Sequence, residues 1–365
     1  MNSEPNHTNP LDLQSDLLEL TRTLCDIPSE SGHEAPLADA IEAALLGYEH
    51  LRVERHGNTV IARTELGLSQ RVVIAGHIDT VPINKNLPSQ IIEEQGEPYL
   101  FARGSVDMKG GVAVQLSLAA ELIAPRVDLS WIFYDNEEVA ASLNGLGLLA
   151  AARPELLLGD FAVLCEPTSA QIEGGCQGTL RFRISTSGVR AHSARSWMGE
   201  NAIHRLQGAL EILNNYQAAE PIVDGLKYHE GLNAVAIEGG IAGNVIPDYA
   251  AVVINYRFAP DKTVAKAVES MQELFAGYAF ELLDSSAGAR PGLDHELAQA
   301  FVSALGTPVA AKYGWTDVAR FWELGIPAVN YGPGDPSRAH ADDEALKISE
   351  LYQCKKGLLH WLSYN

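Results

Sequence analysis

Positive charge is in short supply in this 365-residue chain: 26 Lys and Arg stand against 47 Asp and Glu, a net charge of -21. So acidic a balance argues against nucleic acid and anionic membrane surfaces as partners. Cysteine is scarce too. Cys25, Cys165, Cys176 and Cys354 show no CxxC spacing and no disulfide framework, which fits a reducing compartment. No apolar stretch is long enough to span a bilayer. The opening MNSEPNHTNPLDLQSDLLEL lacks a basic segment followed by an apolar core. Repeats and low-complexity tracts are missing as well. The expectation is a cytoplasmic protein.

What is present is an ordinary globular composition, 46% apolar and 20% charged. The length exceeds what one hydrophobic core usually serves, so two domains are expected. Residues 11–25 and 35–47 carry apolar positions at helical spacing. Strand-like runs (LRVERHG, NTVIART, RVVIAGHID, LSWIFYDNE) then alternate with the helical GGVAVQLSLAAELIA and LNGLGLLAAAR. That alternation predicts an α/β domain, a central mixed sheet flanked by helices. From TLRFRISTSG to AFELLDSS the order becomes β-α-β-β-α-β, a ferredoxin-like α+β unit. The expected organisation is therefore a discontinuous domain, 1–178 and 291–365, interrupted by a smaller one at 179–290.

Metal-binding side chains recur where strand-like runs end, as α/β sheets favour. RVVIAGHIDTVP carries His77 and Asp79, RGSVDMKGG carries Asp107, WIFYDNEEV carries Glu137 and Glu138, FAVLCEPTS carries Glu166, and GPGDPSRAH carries His340. Two imidazoles with three or four carboxylates form the ligand set of a carboxylate-bridged pair of divalent metals. Each motif alone has a plainer reading: a capped turn for the HxD, a helix N-cap for Asp107, a solvated pair for the two glutamates. The set in order is what points to metal. Adjacent residues on an extended chain point apart, so one of Glu137 and Glu138 can bind metal while the other carries a proton. Asp79, two positions after His77, is placed to hold its ring.

In the 179–290 unit, His192 stands just before a helix; facing a metal site it could stabilise an oxyanion, and otherwise it caps that helix. Asn244 and Arg257 are candidates for carboxylate recognition, with a solvated edge-strand arginine as the plainer reading of Arg257. Arg181, Arg183, Arg190, Arg195 and Arg205 face a single local acid, Glu200. They form either a solvated face or a basic island for a polycarboxylate substrate.

With these residues in place, the chain resembles the aminoacylase/carboxypeptidase family of dinuclear zinc amidohydrolases over nearly its full length. GCQGTLRF, RAHSARSWMGENAIH, GGIAGNVIPD, NYRFAP, KYGWTDVARF and NYGPGDPSRAH are most similar to the family's actinobacterial branch of succinyl-diaminopimelate desuccinylases. The resemblance implies His77, Asp107 and Glu166 on one metal and Asp107, Glu138 and His340 on the other, with Asp107 bridging. It implies Glu137 as general base, Asp79 orienting His77, and a cis Asp107–Met108 bond. His192 would come from the partner of a homodimer formed through the 179–290 lid domain, with Arg195, Asn244 and Arg257 as substrate contacts. The implied cofactors are two divalent ions, zinc with cobalt as an alternative in one site. The implied reaction is hydrolysis of N-succinyl-LL-2,6-diaminopimelate, with another N-acyl amino acid deacylase (acetylornithine deacetylase-like) or a catalytically dead metal-binding relative as the alternatives. Cys176 and Gln177 replace a basic pair of the Gram-negative enzymes, and TDVARF at 316–321 replaces their Ser/Gly-rich loop.

Overall fold

The structure is a computed structural model that describes residues 11–363. Residues 1–10, part of the stretch read for a secretion signal and of the 1–178 range, lie outside the described residues, as do 364–365. The chain divides into two compact units. The first takes residues up to Gly174, Gly292–Ala310 and Arg320 onward, and the second takes Gly175–Pro291 and Ala311–Ala319. The expectation above keeps everything from 291 onward in the first domain. The structure instead groups Ala311–Ala319 with the second unit, where the indole of Trp315 donates to the carbonyl of Ala287 at 3.0 Å and the Cys176 thiol meets the Thr316 carbonyl at 3.6 Å.

An eight-stranded mixed sheet organises the first unit, in the order Arg52–His56, Thr59–Arg63, Asp128–Tyr134, Arg71–His77, Phe161–Leu164, Ala328–Asn330, Ile172–Gly174, Val309–Ala311. Arg71–His77 runs parallel to both its neighbours. Parallel strands are covered on both faces, so they read as continuous apolar runs rather than alternating ones. Asp128–Tyr134 and Phe161–Leu164 are accordingly buried at every position. Register then sets the site. His77 pairs with Tyr134 and Ala75 with Leu164, so the residues just after Tyr134 and Leu164 leave the sheet at the same end as His77.

The helix Gly110–Glu121 is buried from Gly110 to Ala120. Its start approaches the sheet so closely that a Cβ at Gly111 would collide with the carbonyl oxygen of Cys165. Only glycine permits that approach. The first helix begins at Leu17 rather than near residue 11, because the Asp16 carboxylate caps it by accepting from Leu18 N at 3.0 Å. A hairpin that the periodicity reading leaves out, Gln90–Glu94 with Glu97–Phe101, pairs with Ala345–Lys347 in a separate three-stranded sheet.

The second unit is an antiparallel sheet in the order Gly231–Gly239, Tyr249–Phe258, Gly178–Ser187, Ala279–Ser286. Helices Gln207–Asn215 and Val264–Leu274 complete the ferredoxin-like order. Leu180, Phe182, Ile184, Val252, Ile254, Met271 and Phe275 share its core, and Phe182 stacks on Phe280 with ring centroids 4.7 Å apart. Among the described residues no helix is long and apolar enough to cross a membrane.

Candidate metal centre

His77 closes its strand with 1% exposure and Asp79 follows at 0%. Nε2 of His77 lies 3.0 Å from Oδ1 of Asp107, and Nε2 of His340 lies 3.3 Å from Oδ2 of the same carboxylate. His340 Nε2 is also 2.9 Å from Oε1 of Glu138. The ligand atoms of His77, Asp107 and Glu166 fall within 4.8 Å of one another. So do those of Asp107, Glu138 and His340, and those of His77, Glu137 and Glu138. The structure thus gathers all six side chains, and Asp107 shows one oxygen to each imidazole.

The backbone is unusual at two of these positions and just ahead of a third. Asp107 lies in the kinked turn Ser105–Lys109 with non-helical backbone angles (φ -123°, ψ 97°), and the Asp107–Met108 peptide is cis. His340 has φ 64° and Asn136, just ahead of the two glutamates, has φ 58°. Left-handed backbone is sparsely populated for residues with a Cβ and clusters at functional sites.

Asp79 meets His77 chiefly through its main chain. The carbonyl oxygen of Asp79 is the nearer partner of His77 Nδ1, at 3.0 Å, and its carboxylate lies 3.4 Å away. That carboxylate instead accepts from the main-chain N–H of Glu137 (2.9 Å) and of Glu138 (3.1 Å), and from the Ser31 hydroxyl (2.7 Å). Two elements missed by the sequence reading brace the same loops. One is Ser31, and the other is the Arg103–Glu344 pair behind Asp107. Nothing in the local sequence marks any of the three.

The electrostatics follow from crowding carboxylates around two imidazoles. Burial opposes protonation of His77, yet hydrogen bonds to Asp107 and Asp79 hold its pKa well above the usual value. Hydrogen bonds to Asp107 and Glu138 raise His340 to about 10. Burial works to raise Asp107, but the two imidazoles win and hold its pKa below the usual carboxylate range. The neighbouring carboxylates thus favour positive charge on His77 and His340, which compensates them in turn. A divalent cation held by the same atoms would do so directly.

The remaining expected residues belong to the second unit. Ala191–His192 pairs with Val245–Ile246, and Ser193 N donates to the carbonyl of Asn244 at 2.9 Å, so His192 and Asn244 are neighbours. Nδ1 of His192 accepts from Ala194 N at 3.1 Å, and the side chain is exposed. Arg257 lies on an inner strand of the sheet and is half-buried, not a solvated edge residue. Neither Arg257 nor Arg195 has a carboxylate partner among the described residues.

Four of the five arginines of the basic island are paired with acids. Arg183 pairs with Glu281 at 2.6 Å, Arg181 with Asp284 at 3.8 Å and Arg190 with Asp248 at 2.8 Å, while Arg205 pairs with Glu200. Cross-strand register brings the acids of Ala279–Ser286 onto Gly178–Ser187. Arg195 alone of the five keeps its charge unmatched.

Against known proteins, a profile described as "Peptidase family M20/M25/M40" matches residues 73–363. A succinyl-diaminopimelate desuccinylase of Corynebacterium glutamicum is 46% identical, covering 97% of this chain and 98% of that protein. A Mycobacterium tuberculosis protein provisionally given the same name is 52% identical, covering 93% of this chain and 96% of its own. Among solved structures, the YXEP protein of Bacillus subtilis, described as a dinuclear metal binding peptidase from the M20 family, superposes with a TM-score of 0.69 at 19% identity, covering 96% of this chain and 97% of that one.

Proposed function

The chain belongs to peptidase family M20/M25/M40, a family of metal-dependent hydrolases, and from that premise we propose that it cleaves N-succinyl-LL-2,6-diaminopimelate to succinate and LL-2,6-diaminopimelate on the route to lysine and cell-wall precursors. The observation that carries the reading is Asp107, whose two carboxylate oxygens each face a different imidazole. His77, Asp107 and Glu166 would hold one divalent cation, and Asp107, Glu138 and His340 would hold the other. Imidazole and carboxylate donors suit zinc, with cobalt able to substitute in one position. When bound, the metals polarise the amide carbonyl and lower the pKa of an attacking water toward neutrality.

The chain's own groups do the rest. The Asp79 carboxylate holds the main-chain N–H groups of Glu137 and Glu138, and Glu137 takes a proton from water and returns it to the leaving nitrogen. His192, whose Nδ1 is taken by Ala194 N, donates from Nε2 to the oxyanion that forms on the carbonyl oxygen, acting across a homodimer built through the second unit. The exposed edge strand Gly231–Gly239, with Val235 58% and Ile237 61% exposed, supports that mode of pairing. Arg257 and Arg195, neither matched to a carboxylate, bind substrate carboxylates together with Asn244. Four unpaired, buried cysteines fit a cytoplasmic enzyme.

The test is steady-state hydrolysis of N-succinyl-LL-diaminopimelate beside N-acetylornithine, by chelated enzyme and by enzyme reloaded with zinc. Zinc-dependent preference for the succinyl compound supports the proposal. Preference for the acetyl compound keeps the chemistry and replaces the substrate, and inactivity on both leaves a catalytically dead metal-binding protein.

A further inference from the structure

Glu344 is 1% exposed and lies in the first unit, four positions after His340. Its carboxylate takes no part in any of the metal-ligand groupings, yet it is fully engaged. Oε1 accepts from Val106 N at 2.9 Å and Asp107 N at 3.1 Å. Oε2 accepts from Gly104 N at 3.1 Å and from Nη1 of Arg103 at 2.7 Å. Three main-chain donors of the loop that carries Asp107, those of Gly104, Val106 and Asp107, thus converge on one side chain, across a separation of 237 residues in the case of Asp107.

The same contact is fastened at its other end. Arg103 donates to the carbonyl of Ala341, next to His340, at 3.2 Å, and to the carbonyl of Pro82 at 3.1 Å. The main chain of Glu344 accepts from Ala102 N at 3.3 Å and donates to Ala341 at 3.3 Å. Gly104 is left-handed (φ 78°) and the backbone angles of Asp107 and Met108 are non-helical, so the N–H groups of Gly104, Val106 and Asp107 take the buried carboxylate as acceptor in place of helical carbonyls. A carboxylate at that position also carries charge that a neutral acceptor would not.

We propose that Glu344 is a positioning residue for the metal centre: it locks the Asp107 loop to the His340 segment and so sets the spacing of the two groups that share the second cation. The proposal rests on the two-metal reading above. Glu344 is not a ligand, and it acts on the cation only through Asp107 and His340.

The test uses Co(II) as probe on the full-length, metal-stripped protein, with titration followed by the visible absorption of the bound ion. Glu344→Gln keeps the shape but turns one acceptor into a donor facing backbone N–H groups. Asp128→Asn is the matched control. Asp128 is also a buried carboxylate bracing a loop, accepting from Thr64 Oγ1, Leu66 N and Leu68 N, each at 2.9 Å, and it lies at the opposite end of its strand from the site. Wild type is expected to take up two Co(II). Glu344→Gln should bind one of them about 10- to 100-fold more weakly with an altered spectrum, the scale typical of partners that orient ligands. Asp128→Asn should lower the unfolding temperature and leave titration and spectrum as in wild type.

If Glu344→Gln titrates with the wild-type affinities and spectrum, or if Asp128→Asn shifts them as much, the proposal is overturned and Glu344 serves only general stability. Should Glu344→Gln fail to fold, Arg103→Lys carries the test; it keeps the charge, removes the guanidinium fork, and should move the same spectrum in the same direction. A wild-type protein that binds no Co(II) at all sinks the two-metal reading instead, a result the titration separates from the failure of Glu344.

Discussion

The carboxylate of Asp79 grips the backbone of Glu137: Oδ1 accepts from its N–H at 2.9 Å, while Oδ2 accepts from Glu138 N at 3.1 Å. One buried side chain therefore fixes both the residue assigned to the metal and the residue assigned to the proton. Through its own carbonyl the same residue holds His77. Asp79→Asn should disturb the glutamate pair most, since an amide oxygen can accept from only one of the two N–H groups without turning its NH2 against the other. A drop in kcat of about 10- to 100-fold is expected, with zinc content little changed. Metal analysis beside kinetics checks this, and loss of both metals with unchanged turnover per bound metal would contradict it.

Glu137 and His340 should separate chemistry from binding. Glu137→Gln is expected to retain both metals and lose about 100- to 10,000-fold in kcat, because it removes only proton transfer. His340→Ala removes a ligand atom 2.9 Å from Glu138 and 3.3 Å from Asp107, and should lose one metal. Metal stoichiometry by mass spectrometry under native conditions distinguishes the two. Full activity in Glu137→Gln would remove it from the mechanism.

The metal-free protein should carry a distinctive pH dependence. His340 is raised from 6.5 to about 10 by hydrogen bonds to Asp107 and Glu138. A group whose pKa rises on folding stabilises the fold fully below its unfolded value, and that contribution is lost as pH climbs through the folded one. Chelated enzyme should therefore lose stability between pH about 6.5 and about 10 more steeply than zinc-loaded enzyme, in which the cation replaces the proton. Metal uptake should release protons and strengthen as pH rises. Unfolding temperatures across that range, for wild type and His340→Gln, give the comparison; equal slopes in both variants would refute it.

Much of the site was legible because a parallel sheet writes its functional end into sequence. His77, Glu138 and Glu166 each follow an unbroken apolar run, and the register of three buried strands brings the run ends together. What was illegible depends on partners far away along the chain. The five arginines look like one charged island until Glu281 and Asp284 arrive from the neighbouring strand of the sheet. Glu344 sits in ADDEAL, where neighbouring acids make it look solvated, although it is almost wholly buried. The Gln90–Phe101 hairpin was hidden by its strands, which have a single buried position, Leu100, and lack a strong apolar alternation. Only its turn, with Gln95 at φ 53° and Gly96 at φ 82°, signals it.

The proposed delivery of His192 by a partner subunit can be decided by complementation. Glu137→Gln and His192→Ala should each be nearly inactive as homodimers, one lacking the proton carrier and the other the oxyanion donor. In a mixed dimer, the subunit bearing His192→Ala keeps its own Glu137 and receives an intact His192 from its partner. One working site is then assembled from two defective chains. If His192 served its own subunit, both sites of the mixed dimer would stay defective. Co-refolding the two variants should therefore restore activity that neither shows alone. Adding Ile237→Lys to both, a charge placed on the exposed edge strand Gly231–Gly239, should abolish the rescue by keeping the chains monomeric, which ultracentrifugation would report directly. Rescue that survives in monomers, or no rescue in verified mixed dimers, would show that His192 does not act across subunits.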